Sequence, residues 1–148
     1  MSNGYPALAT RLQYEFDLAI GDLRNAIEFD PTLKSAFHNR GIAYLQQGNI
    51  DLAIADLTKA IELDPDFAVA YPDRAQALFN RGDDRAALAD AEKAIELDPG
   101  LAPGYYARGL VLAQLGRDDR ALPDYSKAIE LYPDYFDALS ARSRLYLR

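Results

Sequence analysis

The chain has 148 residues, of which 49 % are hydrophobic and 26 % are charged, and its formal net charge at pH 7 is −7. The hydrophobic content suffices for a globular core, whereas the acidic balance, uninterrupted by a basic stripe, argues against nucleic acid and anionic membrane surfaces as partners. No window approaches the roughly 18 apolar residues of a membrane span. With no cysteine and no secretory signal pattern at the N-terminus, the expected compartment is the cytoplasm.

The six-residue segment AIELDP occurs at residues 60–65 and again at residues 94–99, and looser copies lie one period to either side. Consecutive copies are 34 residues apart, and a period of roughly 20–50 residues is the signature of a repeat architecture. We expect one domain overall, because a single unit of this kind cannot bury its apolar face without neighbours. The period divides the chain into a partial unit at 1–33, complete units at 34–67, 68–101 and 102–135, and a shorter segment at 136–148.

Residues 1–33 carry only the second half of the repeat pattern. A helix is predicted over residues 16–29, followed by Pro31, but Tyr14 stands where the later units have a turn glycine. Two interpretations remain: one helix runs from residue 8 to residue 29, or a short irregular turn leads into a helix over residues 17–29. We favour the second interpretation.

Each complete unit predicts two helices, a first and a second helix, joined by a short turn. In the unit at 34–67, Phe37, Gly41 and Tyr44 fall on one stripe of a helix with 3.6 residues per turn. Gly48 follows, where a helix C-terminus favours a left-handed residue. Pro65 ends the second helix, because the residue before a proline is pushed out of helical geometry. The small residues are expected to let the two backbones approach closely.

Residues 136–148 indicate a first helix without its second helix. Such a helix usually caps a repeat stack with a polar outer face, whereas this one ends in the letters LYLR. Three interpretations remain for Leu145 and Leu147: they are exposed, they contact a partner, or the chain is a fragment of a longer array.

Each unit carries an aromatic residue, a small residue, a glycine, two alanines and a proline in fixed columns, and the units follow a period of 34 residues. This pattern resembles the tetratricopeptide repeat. The three complete units cover 102 of the 148 residues and match this pattern at nearly every column. The resemblance implies an all-α fold, an α-solenoid of helix-turn-helix repeats that forms a right-handed superhelix. In such a fold the first helices line a concave groove and the second helices form the convex back.

No catalytic or metal-binding constellation is evident in the sequence, and no cofactor is expected. His38 is the only histidine, no cysteine can act as a nucleophile, and the segments GDDRAAL and GRDDRAL lack the lysine of a phosphate-binding loop. The acidic pairs in these segments are typical of helix N-termini. His38 lies on a first helix, where it either contacts a groove ligand or stays idle at the surface.

Arginine and aspartate each recur once per period, on first and second helices respectively. Pairing them across consecutive units uses all eight residues, whereas pairing within a unit leaves two of them unmatched. We therefore predict inter-repeat ion pairs that define the stacking register more than they add stability. The alternative is an arginine ladder that binds a phosphate or carboxylate ligand. The predicted pairs are Asp22–Arg40, Asp56–Arg74, Asp90–Arg108 and Asp124–Arg142.

The helical period places aliphatic, aromatic and amide side chains on the groove side of the first helices. Such a surface suits an extended or helical peptide, with Phe79 and Tyr106 as natural anchors. The prediction is a non-enzymatic scaffold that binds a peptide or partner protein in the groove. The predicted groove residues are His38, Ile42, Leu45, Gln46, Asp73, Gln76, Phe79, Asn80, Tyr106, Leu110, Ala113, Gln114 and Arg144.

Some tetratricopeptide proteins clamp the C-terminal carboxylate of a chaperone with lysines, an arginine and asparagines on successive first helices. None of the corresponding columns matches, so we do not expect an acidic chaperone tail as the partner. The alternative function is self-assembly through the incomplete ends. The chain is expected to be a monomer or a weak homodimer that is joined through these ends. The clamp columns hold His38, Ile42, Asp73, Pro103 and Ala107.

Overall fold

The computed structural model describes residues 4–148, with side chains from residue 7 onward; residues 1–3 of the predicted first unit lie outside the described residues. The described part is all-helical, as predicted. The chain divides into two compact units, Met1–Pro65 and Asp66–Arg148. The helices are α1 (Gly4–Phe29), α2 (Lys34–Gln46), α3 (Ile50–Leu63), α4 (Ala70–Arg81), α5 (Asp84–Leu97), α6 (Ala102–Gln114), α7 (Asp118–Leu131) and α8 (Phe136–Tyr146).

Helix α1 runs without interruption from Gly4 to Phe29. The favoured expectation of an irregular turn before residue 17 is therefore wrong, and the alternative of one long helix is confirmed. The later turns need a residue with positive φ, and Tyr14 at that position resists this conformation because of its Cβ. The neighbouring leucine, glutamine, glutamate and alanine residues favour helix.

The predicted turn glycines end the first helices. Gly48, Gly82 and Gly116 have φ of 80°, 92° and 71°, in the left-handed region that glycine enters without steric cost. After Gly82, the amide of Asp83 donates to the carbonyl of Leu78 at 2.9 Å, which satisfies one of the free carbonyls at the helix end. The turns reverse the chain, so that α2 packs on α3, α4 on α5 and α6 on α7.

Small residues bring the paired helices close together, as predicted. A Cβ added to Gly41 would lie 2.8 Å from Cγ of Leu57, and a Cβ added to Gly109 would lie 2.7 Å from Cε1 of Tyr125. Both distances are shorter than real Cβ contacts allow, so these helices approach as closely as they do because the glycines lack a side chain. The two alanines that recur on the second helix of each complete repeat are 0 % exposed: Ala53, Ala60, Ala87, Ala94, Ala121 and Ala128.

In the second unit, α4 to α8 form a consecutive series in which each helix packs on the next, and α6 also packs on both α4 and α8. The three first helices of this unit therefore lie side by side. At the end of the series Leu145 is buried, in a core cluster with Leu112 and Tyr125, whereas Leu147 is 87 % exposed. The two leucines grouped together in the sequence thus have different environments.

Candidate functional site

A concavity of about 260 Å³ lies among α4, α6, α7 and α8 of the second unit. Most of its lining comes from the three first helices, and α7 contributes one aromatic ring. The lining residues are Phe79, Leu110, Ala113, Gln114, Tyr125, Ala141, Arg144, Leu145 and Arg148.

The concavity combines buried apolar groups with exposed polar ones. Tyr125 is 2 % exposed and Leu145 is 8 % exposed, so both belong to its floor. Gln114 and Arg144 are exposed and place an amide and a guanidinium at the rim. Arg148 is held by Asp118 of α7, with Nη1 3.2 Å from Oδ1. An occupant can therefore bury an apolar group on the floor and place a hydrogen-bond acceptor at the rim.

Five of the predicted groove residues come together at this concavity. Tyr106, predicted as an anchor, does not line it. Its ring is half-buried and packs against the rings of Tyr125 and Tyr135, with centroid distances of 6.1 Å and 5.1 Å. Tyr106 therefore packs behind the residues that line the concavity. The five residues that converge are Phe79, Leu110, Ala113, Gln114 and Arg144.

The remaining predicted groove residues are not part of this lining. On α4, Gln76 donates from Nε2 to Oδ1 of Asn80 at 2.9 Å, and Asp73 is half-buried near the start of the helix. The others lie on α2 of the first unit, where three are half-buried and the last is exposed. These are His38, Ile42, Leu45 and Gln46.

Tyrosines concentrate where α6 and α7 meet the start of α8. Burial raises the pKa of Tyr125 to about 12, and burial also raises the pKa values of Tyr106 and Tyr135. An apolar environment disfavours the charged phenolate, which is the physical cause of all three shifts. These hydroxyls therefore stay protonated at neutral pH, and the rings beside the concavity act as packing surface.

The recurring arginine of each complete repeat pairs with the recurring aspartate of its own repeat. In the middle repeat, Arg74 Nε lies 2.7 Å from Asp90 Oδ2, and Nη2 lies 2.8 Å from Oδ1. The predicted inter-repeat assignment, Asp22–Arg40, Asp56–Arg74, Asp90–Arg108 and Asp124–Arg142, is therefore wrong. The bidentate pairs are Arg40–Asp56, Arg74–Asp90 and Arg108–Asp124.

Hairpin geometry explains this pairing. Arg74 precedes Gly82 by as many residues as Asp90 follows it, so the two side chains meet when the helices fold back on each other. Asp90 is 7 % exposed, and the Arg74 guanidinium also lies 5.9 Å from the ring centroid of Tyr71. This engagement within the repeat counts against the alternative of a ligand-binding arginine ladder.

Other polar side chains connect consecutive repeats. Gln47 Nε2 donates to Oδ1 of Asp17 at 2.8 Å, which joins the end of α2 to α1. At the other end, the pair of Arg148 and Asp118 joins α8 to α7. The repeat columns did not predict these contacts because the donor residue changes from one repeat to the next: Arg81 occupies the column of Gln47, and Gln114 occupies the column of Arg148.

The lining also includes four residues that the helical period did not predict: Tyr125, Ala141, Leu145 and Arg148. Tyr125 occupies a core column of a second helix, yet its ring reaches the concavity because the facing residue is Gly109. A large ring opposite a glycine was the available signal. The other three residues depend on how α8 packs, which repeat columns do not specify.

The lining of the concavity contains no carboxylate and no imidazole. Among the described residues, no group of His, Asp and Glu is arranged to hold a metal ion. Within the same part of the chain, no helix is both long enough and apolar enough to cross a membrane. The chemistry of the concavity is that of apolar contact and hydrogen bonding.

Two family models, both described as Tetratricopeptide repeat, match the chain, one at residues 35–67 and 102–135 and the other at residues 69–101. A crystal structure of MamA is similar, with 29 % identity and a TM-score of 0.76 over 99 % of this chain and 84 % of that one. The Arabidopsis OM64 TPR domain is 27 % identical, with a TM-score of 0.72 over 77 % and 94 % of the two chains. The first TPR of Spaghetti (RPAP3) bound to the HSP90 peptide SRMEEVD is 28 % identical, with a TM-score of 0.70 over 77 % and 90 %. No curated protein matches the sequence significantly.

Proposed function

The chain belongs to the tetratricopeptide repeat family, and on that premise we propose that the concavity of its second unit binds a peptide segment of a partner protein. Domains of this family are typically non-enzymatic modules that bind other proteins. The observation that carries the proposal is the convergence of five groove-side residues from α4, α6 and α8 on one concavity.

The size and lining of the concavity favour a particular kind of peptide. About 260 Å³ is smaller than the roughly 300–1,000 Å³ of a typical small-molecule pocket, so it accommodates one large side chain while the rest of the peptide lies on the surface. Phe79, Leu110 and Leu145 suit an aliphatic or aromatic side chain. Gln114 and Arg144 at the rim suit a backbone carbonyl or a single carboxylate beside it.

We propose a ligand with few acidic residues. The peptide in the RPAP3 structure has the sequence SRMEEVD, which supports peptide binding as a class of function for this fold. The present chain carries a net charge of −7, which repels a strongly acidic segment. Its clamp columns, with Ile42 and Asp73 among them, lack the basic and amide residues that would offset this repulsion.

Peptides selected on the purified chain from a displayed random library provide the test. We expect the selected peptides to share one large apolar residue, and Phe79→Asp to weaken their binding by more than about tenfold in fluorescence anisotropy. Ala89→Asp adds the same charge to the exposed surface of α5 and serves as the matched control, with unchanged affinity.

Isotope-labelled protein locates the binding surface independently. We expect peptide addition to shift the amide resonances of Leu110, Gln114 and Arg144. Selected peptides that bind the wild type and Phe79→Asp equally, or that shift only resonances of α5, contradict the proposed site.

A further inference from the structure

One face of α1 is exposed although the matching face of the other second helices is buried. Ala19 is exposed, and Leu23 on the same face is half-buried. Because α1 continues straight through Tyr14, no first helix within residues 4–148 folds back against this face. The residues in the column of Ala19 in the complete repeats are each 0 % exposed: Ala53, Ala87 and Ala121.

Helix α8 shows the complementary situation. Tyr146 is 68 % exposed, whereas Leu112 in the same column is 2 % exposed. Leu112 is buried because it packs in one cluster with Ala121 and Tyr125 of the following helix. In the described chain no second helix covers the corresponding face of α8.

The two exposed faces also carry complementary unmatched charges. Arg142 occupies the column of the ion-paired arginines, but it donates only to Ser126 Oγ at 3.3 Å and meets no carboxylate within ion-pair distance among the described residues. Asp22 occupies the column of the ion-paired aspartates, is exposed, and meets no cation in the same part of the chain. One copy therefore presents a cation on α8 and a carboxylate on α1.

We propose that α8 of one copy packs against α1 of a second copy, so that residues 136–148 of the first and residues 14–31 of the second form one complete repeat between chains. Arg142 then pairs with Asp22 as Arg108 pairs with Asp124. The occupant of both faces is thus another copy of this chain.

The apolar contacts of this intermolecular repeat follow the same columns. Tyr146 of one copy covers Ala19 and Leu23 of the other, as Leu112 covers Ala121 and Tyr125. Ser143 occupies the column of Gly41, which faces Leu57. A Cβ at Gly41 would come within 2.8 Å of the leucine side chain. Because Ser143 has a Cβ, the two helices of the intermolecular repeat sit slightly further apart than those within a chain. The contact is therefore weaker than a covalent hairpin.

Such a contact is heterologous, since it joins two different surfaces. It therefore generates rings or open chains instead of a symmetric dimer. Its strength depends on protein concentration, and it leaves the concavity on the other side of α8 free. The proposal is consequently independent of peptide binding.

Analytical ultracentrifugation over a range of concentrations tests this contact. We expect the wild-type mass to rise above the 16.4 kDa of the monomer as the concentration rises. Asp22→Arg and Arg142→Asp each place like charges at the contact and weaken association by more than about tenfold. Glu28→Arg changes the same charge at a position that is exposed in every repeat, and it should associate like the wild type.

Mixing the two variants separates loss of the ion pair from loss of folding. Each contact between the two different variants again joins an arginine to an aspartate, so we expect the mass of the equimolar mixture to rise as it does for the wild type. A wild-type mass that stays at 16.4 kDa, or a mixture that stays monomeric, overturns the proposal. Phe79→Asp is expected to leave the mass unchanged, so the failure of one proposal does not imply failure of the other.

Discussion

Arg40 and Asp56 form a bidentate ion pair across the first hairpin, with Nε 2.6 Å from Oδ2 and Nη2 2.8 Å from Oδ1. Their side chains are 18 % and 10 % exposed, and the Arg40 guanidinium lies 5.8 Å from the ring centroid of Phe37. The hydrogen bonds to Asp56 raise the pKa of the Arg40 guanidinium. Because equivalent pairs recur in the next two repeats, this contact is the polar link between the two helices of every complete hairpin.

Asp56→Ala is expected to destabilise the protein by about 2–3 kcal/mol, because it leaves a largely buried guanidinium without its acceptor. Urea unfolding followed by circular dichroism measures the change. The double variant with Arg40→Ala should lose less than the sum of the two single changes, since the charge left behind is then removed as well. Strict additivity would show that the pair contributes no coupling energy.

Gly41→Ala should destabilise the protein although alanine is the better helix former. The new Cβ lies 2.8 Å from Cγ of Leu57 and 3.3 Å from the carbonyl oxygen of Ala53, so the hairpin must open. Gly21→Ala is the matched control in α1, because its Cβ meets nothing within 4 Å, and it should stabilise by about 0.5–1 kcal/mol. Equal effects of the two substitutions in urea unfolding would refute the steric explanation.

The effect of Gly41→Ala should change sign when Leu57 is also replaced by alanine. Leu57→Ala alone costs about 2–5 kcal/mol, because it leaves a cavity. The new methyl group at residue 41 then fills part of this space, and the same two columns already hold Ala75 and Ala91 in the next repeat. In the Leu57→Ala background we therefore expect Gly41→Ala to raise the free energy of unfolding.

Stability should fall steeply in alkaline solution. Burial raises the pKa of Tyr125 from 10.0 to about 12, so the folded state holds a proton that the unfolded state releases. The resulting stabilisation is fully present below pH 10 and is lost as the pH rises towards 12. Tyr125→Phe should flatten this dependence in unfolding experiments across the alkaline range, and a dependence as steep as that of the wild type would contradict this explanation.

The continuity of α1 through Tyr14 can be tested with proline. Tyr14→Pro removes a backbone hydrogen bond within the helix and costs about 3 kcal/mol locally. We expect a loss of helical circular dichroism and faster amide exchange over residues 7–13, with residues 17–29 still protected. Tyr14→Ala is the control and should keep the full helical signal. If Tyr14→Pro left the helical signal and the amide exchange unchanged, this result would indicate that the chain already bends at residue 14.

The repeat period and the hairpin architecture could be derived from the sequence because they depend on local or recurring chemistry. Gly82 adopts the left-handed conformation that a helix end requires, and Ala60 is buried because every stacked unit needs a small residue in that column. These requirements repeat identically, so their signal adds up along the chain. Part of the site followed in the same way, since the helical period alone placed Phe79 and Arg144 on the groove side.

Tertiary structure decided the choices that depend on which surfaces face each other. The sequence offered Arg40 two aspartates, and only the folding back of α3 on α2 brought Asp56 within 2.6 Å. Tyr106 was placed on the groove side by the helical period, yet neighbouring tyrosines enclose its ring. Periodicity gives each side chain a direction around its own helix, but contacts also depend on the distance and orientation of the helix opposite, which packing of the whole unit determines.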